Sequence, residues 1–272
     1  MTVLDAAIAQ CSPSSSPFMT RPRRSAVLVT FKEPVRYSAA WAIQQQFHAE
    51  RLSGRRTDTL MLLEHLPVYT AGRRTKPTHL KPEDTSSDDP AVPIETVSRG
   101  GSVTYHGPGQ LVAYPILALS AHAPGAKAYV HMLEEVLIRT LLRWDIPGHR
   151  VAKAPGVWTH HQQGEVKIAS IGARIDRGIT LHGFALNVSN DLRPFSRIIP
   201  CGLNGCRMTS MTEIRQTAIA VSFVAEQLAE VFSAVFQLEW TAPSPSVMTT
   251  AGIEARPPGA GTKGTEEYVF PA

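Results

Sequence analysis

Cysteine is scarce in this chain: three residues in 272, at Cys11, Cys201 and Cys206. An odd and sparse set does not describe a disulfide framework, so we expect a reduced, cytoplasmic protein. Because no run of 18 apolar residues is present, no membrane-spanning helix is predicted. The excess of basic over acidic side chains is small, 27 against 23, which is too weak to predict nucleic-acid binding. It is compatible with an acidic protein partner.

The two ends of the chain differ in composition from its middle. Residues 1–24 contain the runs CSPSSSP and RPRR and lack the basic start and apolar core of a secretory signal. Residues 241–272 are rich in proline, glycine and threonine. We predict that both segments are disordered and that residues 25–240 form a single domain.

Within that domain, β-type runs alternate with amphipathic ones. Strands are predicted at residues 27–31, 59–63, 110–116 and 156–159, and a hairpin over 165–188 with its turn at Arg177-Gly178. Helical spacing predicts a helix that ends at Gly54, a second one after Gly125 whose apolar face runs from Val130 to Trp144, and a third over residues 218–236.

The most distinctive stretch is Arg99 to Ile116, with the sequence RGGSVTYHGPGQLVAYPI. Paired glycines let the backbone take positive φ or approach a ligand closely. Arg99 and His106 add polar side chains around this bare backbone. The run therefore predicts a pocket wall with a few fixed polar groups, the alternative being a turn-rich hairpin.

This stretch resembles the signature of the lipoyl(octanoyl) transferases, the octanoyl-[acyl-carrier-protein]:protein N-octanoyltransferases. The family pattern RGG-x-x-TYHGPGQ, followed by an apolar strand, is matched throughout. PVYTAGR, KIASIGARI, HGFALNV and IIPCG also resemble family motifs, in the same order, and the resemblance covers roughly residues 27–215. It implies a single α/β domain of the lipoate and biotin protein ligase type, in which helices flank a mixed sheet.

The resemblance also implies an octanoyltransferase with a reaction in two steps. Cys201 would take an octanoyl group from octanoyl-acyl carrier protein, and a lysine of an apo lipoyl domain would then attack the new thioester. The acceptors implied are lipoyl domains of 2-oxoacid dehydrogenases and the glycine cleavage H protein. Lys167 is the implied catalytic partner of Cys201, and no cofactor or metal is expected. The implied substrate-binding residues are Arg99, Gly100, Gly101, Ser102, Val103, Thr104, Tyr105, His106, Ser170, Ile171, Gly172, His182, Gly183, Phe184 and Ala185.

The residues themselves support part of this assignment. In the predicted strand, Lys167 shares parity with Ala169 and Ile171, so alternation places it on an apolar face, where an unpaired lysine is unusual. By the same reasoning, His182 shares a face with Phe184. Cys201 follows a proline and precedes a glycine, and its backbone amide could help stabilise an oxyanion. The structural alternatives are that Cys201 is an inert cysteine that only fills space in the core, and that Lys167 extends its charged end to solvent from the end of the strand.

Two further clusters of polar residues occur in the chain. Arg73, Arg74 and Lys76 form a basic cluster, either a solvated turn or a docking patch for an acidic carrier. His160 and His161 are adjacent, but no third ligand is near in sequence, so no metal site is predicted. Two other functions remain open: an ATP-dependent lipoate or biotin ligase of the same fold, and a non-enzymatic carrier-binding module. The nucleophile at Cys201 and the absence of a GRGR-type nucleotide loop argue against the ligase.

Overall fold

The computed structural model describes residues 23–81, 92–161 and 164–241, and the backbone of residues 254–256 and 265–269. The remainder of both predicted tails lies outside the described residues, so the domain boundaries stay predictions. Residues 254–256 and 265–269, inside the segment predicted to be disordered, form two short strands. No helix of the described residues is long and apolar enough to cross a membrane.

Strands and helices are interspersed along the chain. The strands are β1 Arg24–Phe31, β2 Asp58–Leu63, β3 Val68–Ala71, β4 Ile94–Thr96, β5 Val103–His106, β6 Gln110–Ile116, β7 Gly156–His161, β8 Gly164–Asp176, β9 Ile179–Asn187, β10 Leu238–Trp240, β11 Glu254–Arg256 and β12 Thr265–Val269. The α-helices are α1 Tyr37–Leu52, α2 Ala126–Leu142, α3 Met211–Arg215 and α4 Val221–Phe236. The predicted strands, the hairpin and the three predicted helices are thus confirmed within a few residues.

Two sheets organise the described part of the chain. The larger sheet is mixed, with the strand order β11-β12-β1-β2-β6-β9-β8-β7 and with β10 paired to β1. Strands β1 and β2 are parallel, whereas β2, β6, β9, β8 and β7 form antiparallel pairs in succession. The smaller sheet has the order β4-β3-β5. The fold is therefore the expected α/β architecture with helices flanking a mixed sheet.

Helices α2 and α4 cover one face of the larger sheet. The buried residues of α2 include Tyr129, Leu133, Leu137 and Leu141, which recur at helical spacing and form one stripe. They pack with the apolar side of α4 and with β6, β8 and β9 in the largest core cluster. Helix α2 ends at Leu142, and Trp144 packs against the same core from the turn that follows.

Helix α1 covers the opposite face. Its side chains Ala40, Ile43 and Phe47 are buried against apolar residues of β1, β2 and β6. The helix ends at Leu52, and Gly54, with a φ of 75°, reverses the chain as the sequence predicts.

The smaller sheet has its own apolar core and a polar side. Val103 and Tyr105 of β5 pack with Phe195 in this core. Successive residues of a strand point to opposite faces. Thr104 and His106 therefore face the other way, towards the pocket described below.

Candidate active site

A pocket of about 300 Å³ lies between the smaller sheet and the face of the larger sheet that α1 covers. Both implied catalytic residues, Cys201 and Lys167, line it. So do most of the implied substrate-binding residues: Arg99, Gly101, Ser102, Thr104, His106, Ser170, Ile171, Gly172, His182, Gly183, Phe184 and Ala185. Gly100, Val103 and Tyr105 do not line the pocket; the last two pack in the core of the smaller sheet.

Cys201 lies on a sharp turn. It is the middle residue of the 3₁₀ turn Pro200–Gly202, where its φ of 57° and the 69° of Gly202 place two successive residues in the left-handed region. Such a conformation costs a non-glycine residue of the order of 1–3 kcal/mol and is common at functional sites. The thiol is partly exposed, and its sulfur lies 3.7 Å from the Ser170 hydroxyl oxygen. The turn therefore presents a reachable sulfur to the pocket.

Lys167 is fully buried in strand β8. Its Nζ donates a hydrogen bond to the Pro155 carbonyl oxygen at 2.8 Å and lies 5.1 Å from the centroid of the Trp158 ring. A carbonyl acceptor and an aromatic face both stabilise a buried ammonium group. Among the described residues, no hydrogen bond joins Nζ to the Cys201 sulfur. The two groups share a pocket but are bonded to different partners.

A β-bulge decides which way Lys167 faces. Val157 of β7 pairs with Ala169, and the next residue, Trp158, pairs with Lys167, so Ile168 is the extra residue. Ile168 and Ala169 both pack in the core under α2, whereas Lys167 faces the pocket. The prediction that Lys167 shares a face with Ala169 is therefore wrong, because strict alternation does not hold across a bulge.

His182 also departs from the predicted alternation, because its φ is 54°. Its ring stacks on Trp41 at a centroid distance of 4.8 Å, whereas Phe184 packs in the core on the other side of the sheet. The prediction that the two residues share a face is wrong for this reason. Burial, assisted by the nearby charge of Arg99, lowers the pKa of His182 to about 3. The ring is therefore neutral at physiological pH.

Gly183, next to His182, is needed for packing. A Cβ atom at this position would collide with the carbonyl oxygen of Ala113 on the neighbouring strand β6. A side chain here would push the two strands apart.

Arg99 brings a buried positive charge to the pocket. Its guanidinium donates to the Thr70 carbonyl oxygen at 2.6 Å, to the Thr70 hydroxyl at 2.8 Å and to the Gly100 carbonyl at 3.0 Å. Burial lowers the pKa of Arg99, and the nearby Cys201 opposes that shift. In the described part of the chain, no carboxylate pairs with this guanidinium, so an anionic group in the pocket would complement it.

His106 is held in one orientation by a buried chain of hydrogen bonds. Gln110 uses its amide nitrogen to donate to Asn187 at 2.8 Å, which leaves its carbonyl oxygen to accept from Nδ1 of His106 at 2.7 Å. Burial places the pKa of His106 well below its usual value. The ring is thus neutral and carries its proton on Nδ1.

The basic residues divide into two groups. Arg74 and Lys76 line the pocket, whereas Arg73 does not. The Arg74 amide donates to the Gly101 carbonyl at 3.0 Å, which attaches this turn to the glycine-rich segment. Lys153 lines the pocket from the loop before β7. Within the described residues, no carboxylate lines this pocket.

Sequence reasoning missed several lining residues. Val112 and Tyr114 alternate along β6, a signal that could have identified them as one face of a strand. Gly202 and Leu203 directly follow Cys201 in sequence. No local pattern marks the others, which are brought in by distant segments: Tyr37, His79, Lys153, Ala154 and Pro155. His160, whose ring stacks on His149 at 4.9 Å, lies outside the pocket.

The sequence of the chain matches a known catalytic-domain family, and its fold is similar to solved structures. Residues 36–233 match the sequence model of the lipoyl protein ligase A/B catalytic domain. The backbone is similar to lipoate-protein ligase A bound with ATP, with a TM-score of 0.58 and 14% identity over 80% of this chain and 87% of that one. It is equally similar to the bipartite lipoate protein ligase of Thermoplasma acidophilum, with a TM-score of 0.57 and 14% identity over 80% and 85% of the two chains.

Sequence relatives narrow the class. An octanoyltransferase of Thermobifida fusca is 45% identical over 72% of this chain and 82% of its own length. One from Chloroflexus aurantiacus is 44% identical over 75% and 92% of the two lengths, and one from Geobacter sulfurreducens is 43% identical over 72% and 79%. The chain therefore belongs to the lipoyl protein ligase A/B catalytic-domain family and, within it, to the octanoyltransferases, which are acyltransferase enzymes.

Proposed function

We propose that the enzyme transfers an octanoyl group from octanoyl-acyl carrier protein, through a thioester on Cys201, to a lysine of an apo lipoyl domain. The acceptors would be the lipoyl domains of 2-oxoacid dehydrogenases and the glycine cleavage H protein. One observation carries the proposal: a strained turn presents Cys201 to a pocket that is also lined by Lys167, by further cations and by apolar side chains.

In the first step, the Cys201 thiolate attacks the thioester carbonyl of the donor. The tetrahedral intermediate collapses, the carrier leaves as a thiol after taking up a proton, and the octanoyl group stays on Cys201. In the second step, the acceptor amine attacks this new thioester, an amide forms, and the Cys201 thiol is released. Exchange between thioesters is nearly balanced, whereas amide formation is favourable, so ATP is not required.

Cys201 is the better nucleophile of the two described cysteines. Burial raises the pKa of Cys206 to about 11, even though the charge of Lys167 opposes the shift. Cys206 is therefore a protonated thiol at neutral pH, and a thiol reacts far more slowly than a thiolate. Cys201 lines the pocket, with the Ser170 hydroxyl and the charged group of Arg99 close by.

Lys167 would serve both half-reactions from the pocket wall. As a cation it would stabilise the thiolate, and as a neutral amine it would accept a proton from the incoming acceptor amine. Its present bond to the Pro155 carbonyl leaves the remaining hydrogens of Nζ available for this role.

The octanoyl tail would lie along the apolar wall formed by Val112, Tyr114 and Ala185. Burial of its methylene groups would contribute roughly 5 kcal/mol, at about 0.8 kcal/mol for each group. The rim cations Arg74, Lys76 and Lys153 would attract the acidic carrier, and Arg73 lies beside them on the same turn.

A comparison of two acyl donors tests the proposal. The enzyme is supplied with apo lipoyl domain and either octanoyl-acyl carrier protein or free octanoate with ATP, and the mass of the domain is followed. We expect octanoylation only from the carrier, with a carrier KM that rises with salt concentration. Octanoylation from free octanoate that requires ATP would instead identify a ligase.

A further inference from the structure

His79 lies beside the nucleophile although it is far from it in sequence. It ends the 3₁₀ turn Pro77–His79, and the Ile199 amide donates to its carbonyl oxygen at 2.8 Å. A Cβ atom on Gly202 would lie 2.9 Å from Cε1 of the His79 ring. The imidazole therefore lies against the backbone that follows Cys201, and it lines the same pocket.

The hydrogen bonds of His79 settle which nitrogen carries its proton. The Lys76 backbone amide points at Nδ1 from 3.2 Å, and the Ser102 hydroxyl oxygen lies 2.6 Å from the same atom. A backbone amide can only donate, so Nδ1 is an acceptor. In the neutral ring the hydrogen is then on Nε2, for which no acceptor exists among the described residues.

The two buried cations of the pocket, Arg99 and Lys167, donate hydrogen bonds to groups away from the Cys201 turn. Arg99 donates to Thr70 and Gly100, and Lys167 donates to Pro155. A second unused donor is the backbone N–H of Cys201, which has no backbone acceptor in the described part of the chain. Among the described residues, the Nε2–H of His79 and the backbone N–H of Cys201 thus have no acceptor, and both adjoin the turn that carries the reactive sulfur.

We propose that His79 is a further catalytic residue, whose Nε2–H donates a hydrogen bond to the carbonyl oxygen of the acyl group that reacts at Cys201. This rests on the function proposed above. When sulfur attacks, the carbonyl electron pair moves onto oxygen, and His79 stabilises that oxyanion together with the Cys201 amide. When the intermediate collapses, the pair returns and the thiol leaves. The proton stays on Nε2 throughout. Ser102 and the Lys76 amide hold the ring in this tautomer.

Two variants, His79→Asn and His79→Gln, distinguish hydrogen-bond donation by Nε2 from a purely structural role of the side chain. Asn at position 79 keeps an oxygen near Nδ1, which can accept from Lys76 and Ser102, but it lacks a donor at the Nε2 position. Gln places an amide N–H near Nε2. His160→Asn, on the exposed and remote His160, is the matched control. All variants are made with Cys11 and Cys206 replaced by serine.

The first measurement is the rate of Cys201 acylation by octanoyl-N-acetylcysteamine, a small thioester that needs no carrier. We expect His79→Asn to lower this rate about 100-fold, as removal of one oxyanion donor does. His79→Gln should retain a larger share, and His160→Asn should match the parent. Alkylation of Cys201 by iodoacetamide passes through no oxyanion, so its pH profile should be the same in all four proteins.

Four results would overturn the inference. These are unchanged acylation in His79→Asn, an equal loss in both His79 variants, an alkylation profile that moves with His79, and no acylation of the parent by the thioester. The function proposed above is judged separately, by transfer from the carrier to the lipoyl domain. Transfer to the lipoyl domain can fail while the rate of Cys201 acylation by the small thioester still measures the effect of His79.

Discussion

The Ser170 hydroxyl oxygen lies 3.7 Å from the Cys201 sulfur, and Ser170 follows Lys167 by three residues on the same strand. The bulge at Ile168 turns both Lys167 and Ser170 towards the pocket. One strand thus carries the buried cation and the hydroxyl nearest to the sulfur. The opposite wall, with the turn of residues 200–202, supplies the nucleophile itself.

Ser170→Ala should slow the alkylation of Cys201 at neutral pH. A hydroxyl that donates to a thiolate stabilises the charged form, and a hydrogen bond to a charged group contributes about 1.5–3 kcal/mol, so we expect a loss of about tenfold or more. Iodoacetamide labelling, read by mass spectrometry, measures it. Ser53→Ala, on an exposed serine at the end of α1, is the control. Equal labelling of Ser170→Ala and the parent would show that this contact does not activate the sulfur.

Lys167→Ala should lower both Cys201 alkylation at neutral pH and octanoyl transfer. Lys167→Arg keeps a cation but cannot act as a base, so it should alkylate faster than the alanine variant yet still transfer poorly. Lys127→Ala, on the exposed side of α2, should match the parent. The pH profile of alkylation and the transfer rate are measured in parallel. An unchanged pH profile of Cys201 alkylation in Lys167→Ala would show that Lys167 does not activate the nucleophile.

Gly156→Ala should disturb the site through Lys167. The added Cβ would collide with the Ala169 carbonyl and lie 2.8 Å from Cε of Lys167, at a φ of 123°. Gly164→Ala is the matched control, since its φ is 106° but nothing lies within 4 Å of the new atom. Both should lose stability, by about 1 kcal/mol or more from backbone strain alone. Only Gly156→Ala should also lose transfer activity at a temperature where both are folded.

The free energy of unfolding should fall as pH falls from about 6.5 to about 4. Burial lowers the pKa of His65 from 6.5 to about 4, so within this window the unfolded chain binds a proton that the folded chain excludes. The slope from His65 is up to about 1.4 kcal/mol per pH unit and is absent above this window. Urea unfolding at a series of pH values measures it. His65→Gln, which does not titrate, should show a smaller slope; an unchanged slope would contradict the assignment.

Much of the fold was predictable because its signals are local. The run of apolar residues in β2, the helical stripe of α2 and the turn at Arg177-Gly178 each follow from short-range patterns. Most of the residues predicted to line the pocket were predicted from the family resemblance. For Lys167 and Cys201, the structure adds that the two groups share one cavity.

The predicted faces of Lys167 and His182 were wrong because the alternation of side chains along strands β8 and β9 is interrupted. The bulge at Ile168 depends on how β8 pairs with β7, and the positive φ of His182 depends on packing against α1. Neither is encoded in a local pattern. His79 was missed because its approach to Cys201 depends on a contact between segments about 120 residues apart.

The most direct test of the account is the mass of the enzyme after it is mixed with octanoyl-acyl carrier protein in the absence of an acceptor. We predict a single octanoyl adduct on Cys201 that hydroxylamine removes. It should persist in Cys206→Ala, disappear in Cys201→Ala, and be discharged to an amide when apo lipoyl domain is added. An adduct that survives in Cys201→Ala, or transfer to the lipoyl domain by that variant at the parent rate, would contradict the central claim.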